Sequence, residues 1–131
     1  MISHGRRHKT QARIYPLAKH LVERGHEVTF MVTADRRRVR IIESDWTGVR
    51  TIETPDLLWG KLRSGWDPWS TLSRMLSLRT DKQRYDLICC FETRPVTIYP
   101  VLLYGARHTL PVITDWMDWW GRGGVIDELR P

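Results

Sequence analysis

Near the carboxyl end, residues Asp115 to Gly124 read DWMDWWGRGG. Asp115 and Asp118 are acceptors for hydroxyl hydrogens, Arg122 can meet an anion, and Gly121, Gly123 and Gly124 let backbone come close to a ligand. The three tryptophans of the same stretch suit core packing, a ligand wall or a hinge. A second group sits at the amino end, where His4, Gly5, Arg6 and Arg7 run into His8, Lys9 and Thr10. A basic turn leading into a helix N-terminus suits an anion such as phosphate. As a dinucleotide fingerprint it is incomplete, because Gly5 stands without the further glycines such a loop needs. Glu92, Thr93 and Arg94 form a third group, and Ala34, Asp35 and Arg36 to Arg38 a fourth. The carboxyls of Asp115 and Glu92 either face a cleft or cap nearby backbone N–H groups.

The elements between these groups decide where they lie. Met1 to Gly5 reads as a strand stub and a turn. From Ala12 the apolar residues Ile14, Leu17, Ala18, Leu21 and Val22 recur at helical spacing. Pro16 confines that helix to a start near Arg13, and Gly25 ends it. Residues 26–33 alternate with Val28, Phe30 and Val32 on one face, which predicts a strand, and residues 49–53 predict another. Asp67-Pro68 is an N-cap followed by proline at the first helical position. Trp69, Leu72, Met75 and Leu76 supply that helix with an apolar stripe. Leu87 to Phe91 is the continuous apolar run of a strand covered on both faces. A helix from Pro95 to about Arg107 follows, with a kink expected at Pro100, and then a strand over 110–114. Strands alternating with helices predict an α/β fold: a Rossmann-like, three-layer domain with a mostly parallel sheet, spanning residues 1–131. All four chemical groups then fall at the carboxyl ends of strands, where such sheets bind ligands.

Composition bounds the rest. The 131 residues are 41% hydrophobic and 27% charged, which fits a globular domain and not a disordered chain. No apolar run approaches the roughly 20 residues of a membrane helix, and the first residues lack a secretory h-region. Cys89 and Cys90 are adjacent, so a strand points them to opposite faces and gives no disulfide. A cytoplasmic protein is expected. Residues 1–40 hold ten Lys/Arg against three acids, a net +7, and the remaining 91 hold eleven against twelve, a net −1. The net charge of +6 therefore resides at the amino end. No Walker loop, nucleophile elbow or metal-spaced His/Cys cluster is present, so no metal or cofactor is expected.

Two segments carry a family resemblance: ARIYPLAKHLVERGHEVTFMV at residues 12–32, and residues 85–131 with the Asp-Trp-x-Asp-Trp-Trp-Gly-Arg-Gly-Gly tail. In that order they resemble the amino-terminal domain of family 4 glycosyltransferases of the two-domain GT-B architecture. The resemblance implies a retaining transfer of sugar from a nucleotide-sugar donor to a sugar or lipid-linked acceptor. It implies that this domain builds the acceptor side of a cleft and is inactive without a carboxy-terminal nucleotide-sugar domain, so that the chain is a fragment. By the same resemblance the phosphate-approaching turn maps onto His4 to Thr10, with His4, Gly5, Arg6 and Arg7 binding substrate. Asp115 stands where many members carry a histidine near the reacting sugar, and Glu92 is a second catalytic candidate. Asp118, Arg122, Gly123 and Gly124 complete the expected substrate contacts. The alternative is a non-catalytic basic module that grips nucleic acid or anionic membrane. The absence of a nucleic-acid motif weighs against the first, whereas peripheral membrane contact is compatible with either reading.

Overall fold

Five consecutive residues, Thr29–Thr33, are all buried, because the strand they form (β2) lies in the middle layer of three. Phe30 and Val32 point to one face and pack with Ala18 and Val49, whereas Met31 points to the other and packs with Ile2, Ile52, Ile88 and Cys90. This division follows from the two-residue period of a strand. A computed structural model describes residues 1–6, 13–35, 39–56 and 65–116. Of the expected site residues, Arg7, Asp118, Arg122, Gly123 and Gly124 lie outside the described residues, as do residues 8–10 and 36–38.

The remaining elements are β1 (Ile2–Arg6), α1 (Ile14–Glu23), β3 (Ile42–Trp46), β4 (Val49–Thr54), α2 (Pro68–Thr80), β5 (Ile88–Phe91), α3 (Pro95–His108) and β6 (Val112–Asp115). They form one six-stranded sheet in the order β3-β4-β2-β1-β5-β6, parallel throughout except for β3 against β4. The expected α/β, Rossmann-like, three-layer architecture is therefore present. Helix α1 covers one face of the sheet. Helices α2 and α3 cover the other through Leu78, Val101 and Tyr104.

Local signals explain most boundaries. Gly25 at φ +88° ends α1, with its N–H bonded to Val22 O and that of His26 to Leu21 O, a Schellman closure. Asp67 Oδ1 accepts from Trp69 N at 2.8 Å and Ser70 N at 3.2 Å, so the predicted N-cap of α2 holds. Among the described residues no helix is long and apolar enough to cross a membrane.

Residues 4–6, expected in a turn, belong to strand β1 instead, and two further features differ from the sequence expectation. Strand β3 pairs antiparallel with β4 through a turn at Thr47 and Gly48, and its residues are exposed or half-exposed. Lacking a fully buried apolar face, it leaves little periodic trace in the sequence. The second concerns α2. Leu72 and Leu76 of the predicted stripe are 44% and 48% exposed, whereas the buried residues are Ser70, Thr71, Ser73, Arg74 and Leu78.

Arg74 is the physical reason for this inversion. Its guanidinium is fully buried and donates from Nε to Thr54 Oγ1 at 2.9 Å, from Nη1 to Ser3 O at 2.9 Å and Val96 O at 3.0 Å, and from Nη2 to Thr33 Oγ1 at 3.0 Å. These partners are all neutral. Burial lowers the guanidinium pKa to about 9, with the nearby Cys90 opposing. A buried cation costs several kcal/mol unless its donors are met. The polar side of α2 therefore turns inward to meet them, and the leucines turn outward.

Candidate functional site

Strand β1 has β2 on one side and β5 on the other, so the direction of winding reverses between β1 and β5. Ligands of open α/β sheets bind in the crevice beyond the carboxyl ends of the strands at such a reversal. The register sets Ser3 opposite Phe91, which places the next residues, His4 and Glu92, side by side at that crevice. His4 Nδ1 lies 3.2 Å from Glu92 Oε2. The nitrogen is buried and too poorly aligned for a hydrogen bond, and has no other partner among the described residues.

The His4 side chain is only 15% exposed. Burial, followed by the positive charges of Arg94 and Arg74, lowers its pKa to about 4. At neutral pH its imidazole is therefore uncharged, and the 3.2 Å contact is not an ion pair. A neutral imidazole beside a carboxyl can accept or donate a hydrogen bond without carrying charge.

Glu92 has φ +66°, a left-handed conformation that side chains rarely adopt. Its surroundings hold it there. Its N–H donates to Asp115 O at 2.9 Å, and its carbonyl accepts from Thr97 Oγ1 at 2.8 Å. Arg94 Nε donates to Glu92 Oε2 at 2.9 Å. Strain of this kind costs on the order of 1–3 kcal/mol and collects at functional positions.

Gly65, just before α2, seals the opposite side of Arg94. A Cβ on Gly65 would lie 2.6 Å from Arg94 Cδ, 2.9 Å from Arg94 Cβ and 3.2 Å from His4 Cβ. The Gly65 carbonyl accepts from Val96 N at 3.2 Å, at the start of α3.

Asp115 ends β6, as expected of a strand-end carboxylate, and it meets Glu92 through its carbonyl. Its side chain is bound by Arg13, whose Nη2 lies 2.8 Å from each carboxylate oxygen. Arg13 directly precedes α1, so this pair joins the first βα connection to the last described strand. Gly5 donates its N–H to Ser3 Oγ at 3.1 Å, and Arg6 closes β1.

The structure thus brings His4 and Glu92 together and links Asp115 to them through backbone. Gly65, Arg13 and Arg74 were not among the expected site residues, whereas Arg94 was, as part of the third group. Arg94 had a signal, since it immediately precedes the helix-opening Pro95 in the same turn as Glu92. Gly65 and Arg74 had none, because a positive φ and a buried guanidinium depend on contacts distant in sequence. Among the described residues no group of three or more His, Cys, Asp or Glu could hold a metal ion.

The chemistry available is recognition of hydroxyl groups. A carboxyl fixed by a guanidinium beside an uncharged imidazole offers acceptors in a fixed geometry, and Arg94 brings positive charge to the same crevice. A family model, described as the glycosyl transferase 4-like domain, matches residues 10–131. No curated protein and no solved structure matches the chain.

Proposed function

The chain belongs to the glycosyl transferase 4-like domain family, and from that premise we propose that it forms the acceptor side of a retaining glycosyltransferase using a nucleotide-sugar donor. Glu92 accepts a hydrogen bond from the acceptor hydroxyl, which raises the electron density of the attacking oxygen. His4, held uncharged, orients a second hydroxyl or the first. The carboxyl end of β1, from His4 to Arg6, approaches the donor phosphate, and Arg7, next in sequence, adds positive charge for it. Asp115 lies near the anomeric carbon and steadies positive charge that develops as the bond to the departing phosphate breaks. Asp118, Arg122, Gly123 and Gly124, which follow Asp115 in sequence, supply further substrate contacts, and a partner domain supplies most of the nucleotide-sugar contacts.

The observation that carries this reading is the His4–Glu92 pair at the β1–β5 crevice, with Glu92 held at φ +66°. Structural capping alone does not require a glutamate in that conformation, since glycine or asparagine adopts it at lower cost. The test is sugar transfer by the complete polypeptide carrying this domain, with a panel of nucleotide sugars and hydroxylated acceptors. Glu92→Gln should lower kcat by roughly a hundredfold or more while leaving the thermal transition in place. Wild-type turnover in that variant removes Glu92 from the site, and no transfer with any donor overturns the whole reading.

A further inference from the structure

A groove of about 970 Å³ opens between α2, α3 and the segment leading into β5. It lies at the pole opposite the His4–Glu92 pair, since residues 81–86 and Leu110 precede the amino ends of β5 and β6. Leu72, Leu76 and Leu103 supply apolar walls, although they are 44%, 48% and 55% exposed. Tyr104 and Leu78, from the core beneath, form its floor. Around these stand four cations, Arg79, Lys82, Arg84 and Arg107, against two acids, Asp81 and Asp86. Asp81 is already engaged, 2.8 Å from Arg50 Nη1 and 2.6 Å from Tyr85 Oη.

The outward leucines of α2 serve no purpose in the core, because Arg74 commits the opposite side of the helix to the interior. What remains on the outside is an apolar trough bordered by positive charge. Its chemical complement is a molecule with a hydrocarbon body and an anionic head. A second copy of this chain fits less well, since a two-fold interface would set the cationic border against itself.

We propose that the α2–α3 groove seats an anionic membrane lipid, its hydrocarbon chain on Leu72, Leu76 and Leu103 and its headgroup on Lys82, Arg84 and Arg107. Contact through this groove attaches the domain to an anionic bilayer by the pole away from the crevice, leaving the crevice open to solutes. The proposal is independent of the sugar-transfer reading. It also moves membrane contact away from the basic first 40 residues, where the charge count alone would put it.

The test is co-sedimentation of the full chain with phosphatidylglycerol/phosphatidylcholine vesicles and with pure phosphatidylcholine vesicles. Mixed vesicles should retain the chain and pure phosphatidylcholine should not, and rising salt should weaken retention. The double change Leu72→Glu/Leu76→Glu and the triple change Lys82→Glu/Arg84→Glu/Arg107→Glu should each weaken binding by roughly tenfold or more. Arg24→Glu/Arg40→Glu, at exposed cations outside the groove, should leave binding unchanged. All of these positions are exposed, so circular dichroism and melting curves should match the wild type and confirm folding. The proposal is overturned by groove variants that bind as wild type, by equal loss in the control pair, or by equal binding to both vesicle types. Lipid-free dimers that disappear in the groove variants would overturn it in favour of self-association.

Discussion

Arg74 donates to the carbonyl of Val96, the one acceptor in α3 that Pro100 leaves without a helical partner. Proline at position 100 has no N–H to close the bond four residues back, and the buried guanidinium of a neighbouring helix closes it instead. The same nitrogen reaches Ser3 O in β1, so the start of α3 is fixed relative to the strand that carries His4.

This arrangement predicts a coupling. Arg74→Met should destabilise the fold by about 3 kcal/mol or more, because two buried carbonyls lose their donor. Pro100→Ala restores an N–H that can bond Val96 O. In that background Arg74→Met should cost about 1 kcal/mol less, a non-additivity read directly from urea-unfolding free energies of the four species. Strictly additive costs would show that Val96 O does not depend on Arg74.

Glu92→Gly separates stability from activity. Glycine takes the left-handed conformation freely, so the variant should be as stable as the wild type or more so, by about 1 kcal/mol. In the sugar-transfer assay proposed above, turnover should fall by roughly a hundredfold or more, because the carboxyl is gone. A melting temperature well below wild type would mean that the side-chain bond to Arg94, not backbone strain, dominates at this position.

His4 predicts a pH dependence of stability. Burial and then the charges of Arg94 and Arg74 hold its pKa at about 4, against an ordinary value of 6.5. Between those values the unfolded chain takes up a proton that the folded chain refuses. The contribution is complete above pH 6.5 and is lost as pH falls toward 4, about 3 kcal/mol in all. Urea midpoints measured from pH 7 to pH 4.5 should fall less steeply for His4→Gln than for the wild type. Parallel curves would show that His4 titrates normally in the folded chain.

Gly65→Ala should be costly beyond its size. The added methyl meets Arg94 at 2.6 and 2.9 Å, and the backbone at φ +83° already disfavours a side chain. A loss of about 2 kcal/mol is expected, with chemical-shift changes concentrated at His4, Glu92 and Arg94. Shifts confined to residue 65 and its chain neighbours would show that the crevice is not built against this glycine.

Much of this was legible in the sequence, for physical reasons. The alternation around Phe30 and Val32, the Gly25 stop and the Asp67-Pro68 cap are local signals, and local contacts decide those boundaries. Glu92 and Asp115 were legible as strand-end residues, because a polar group following an apolar run marks the point where a strand leaves the core. That Glu92 meets His4 was not, since register between β1 and β5 is set by packing across about 90 residues of chain. The apolar stripe of α2 misled because helical spacing shows which residues share a face and not which way that face turns. One buried arginine reversed it. Strand β3 was silent because an exposed edge strand needs no apolar face.

The reach of Arg74 has a further consequence, for the order of assembly. Its partners lie 20, 22, 41 and 71 residues away along the chain. The guanidinium finds all of them only when β1, β2, β4 and the head of α3 have already converged, so its bonds belong to the end of the folding route. Interactions absent from the transition state act on escape from the native state. Loss of Arg74 should therefore leave the refolding rate nearly unchanged and appear almost wholly as faster unfolding. The residue acts as a latch on lifetime: it sets how long the crevice persists once built, not how quickly it is built.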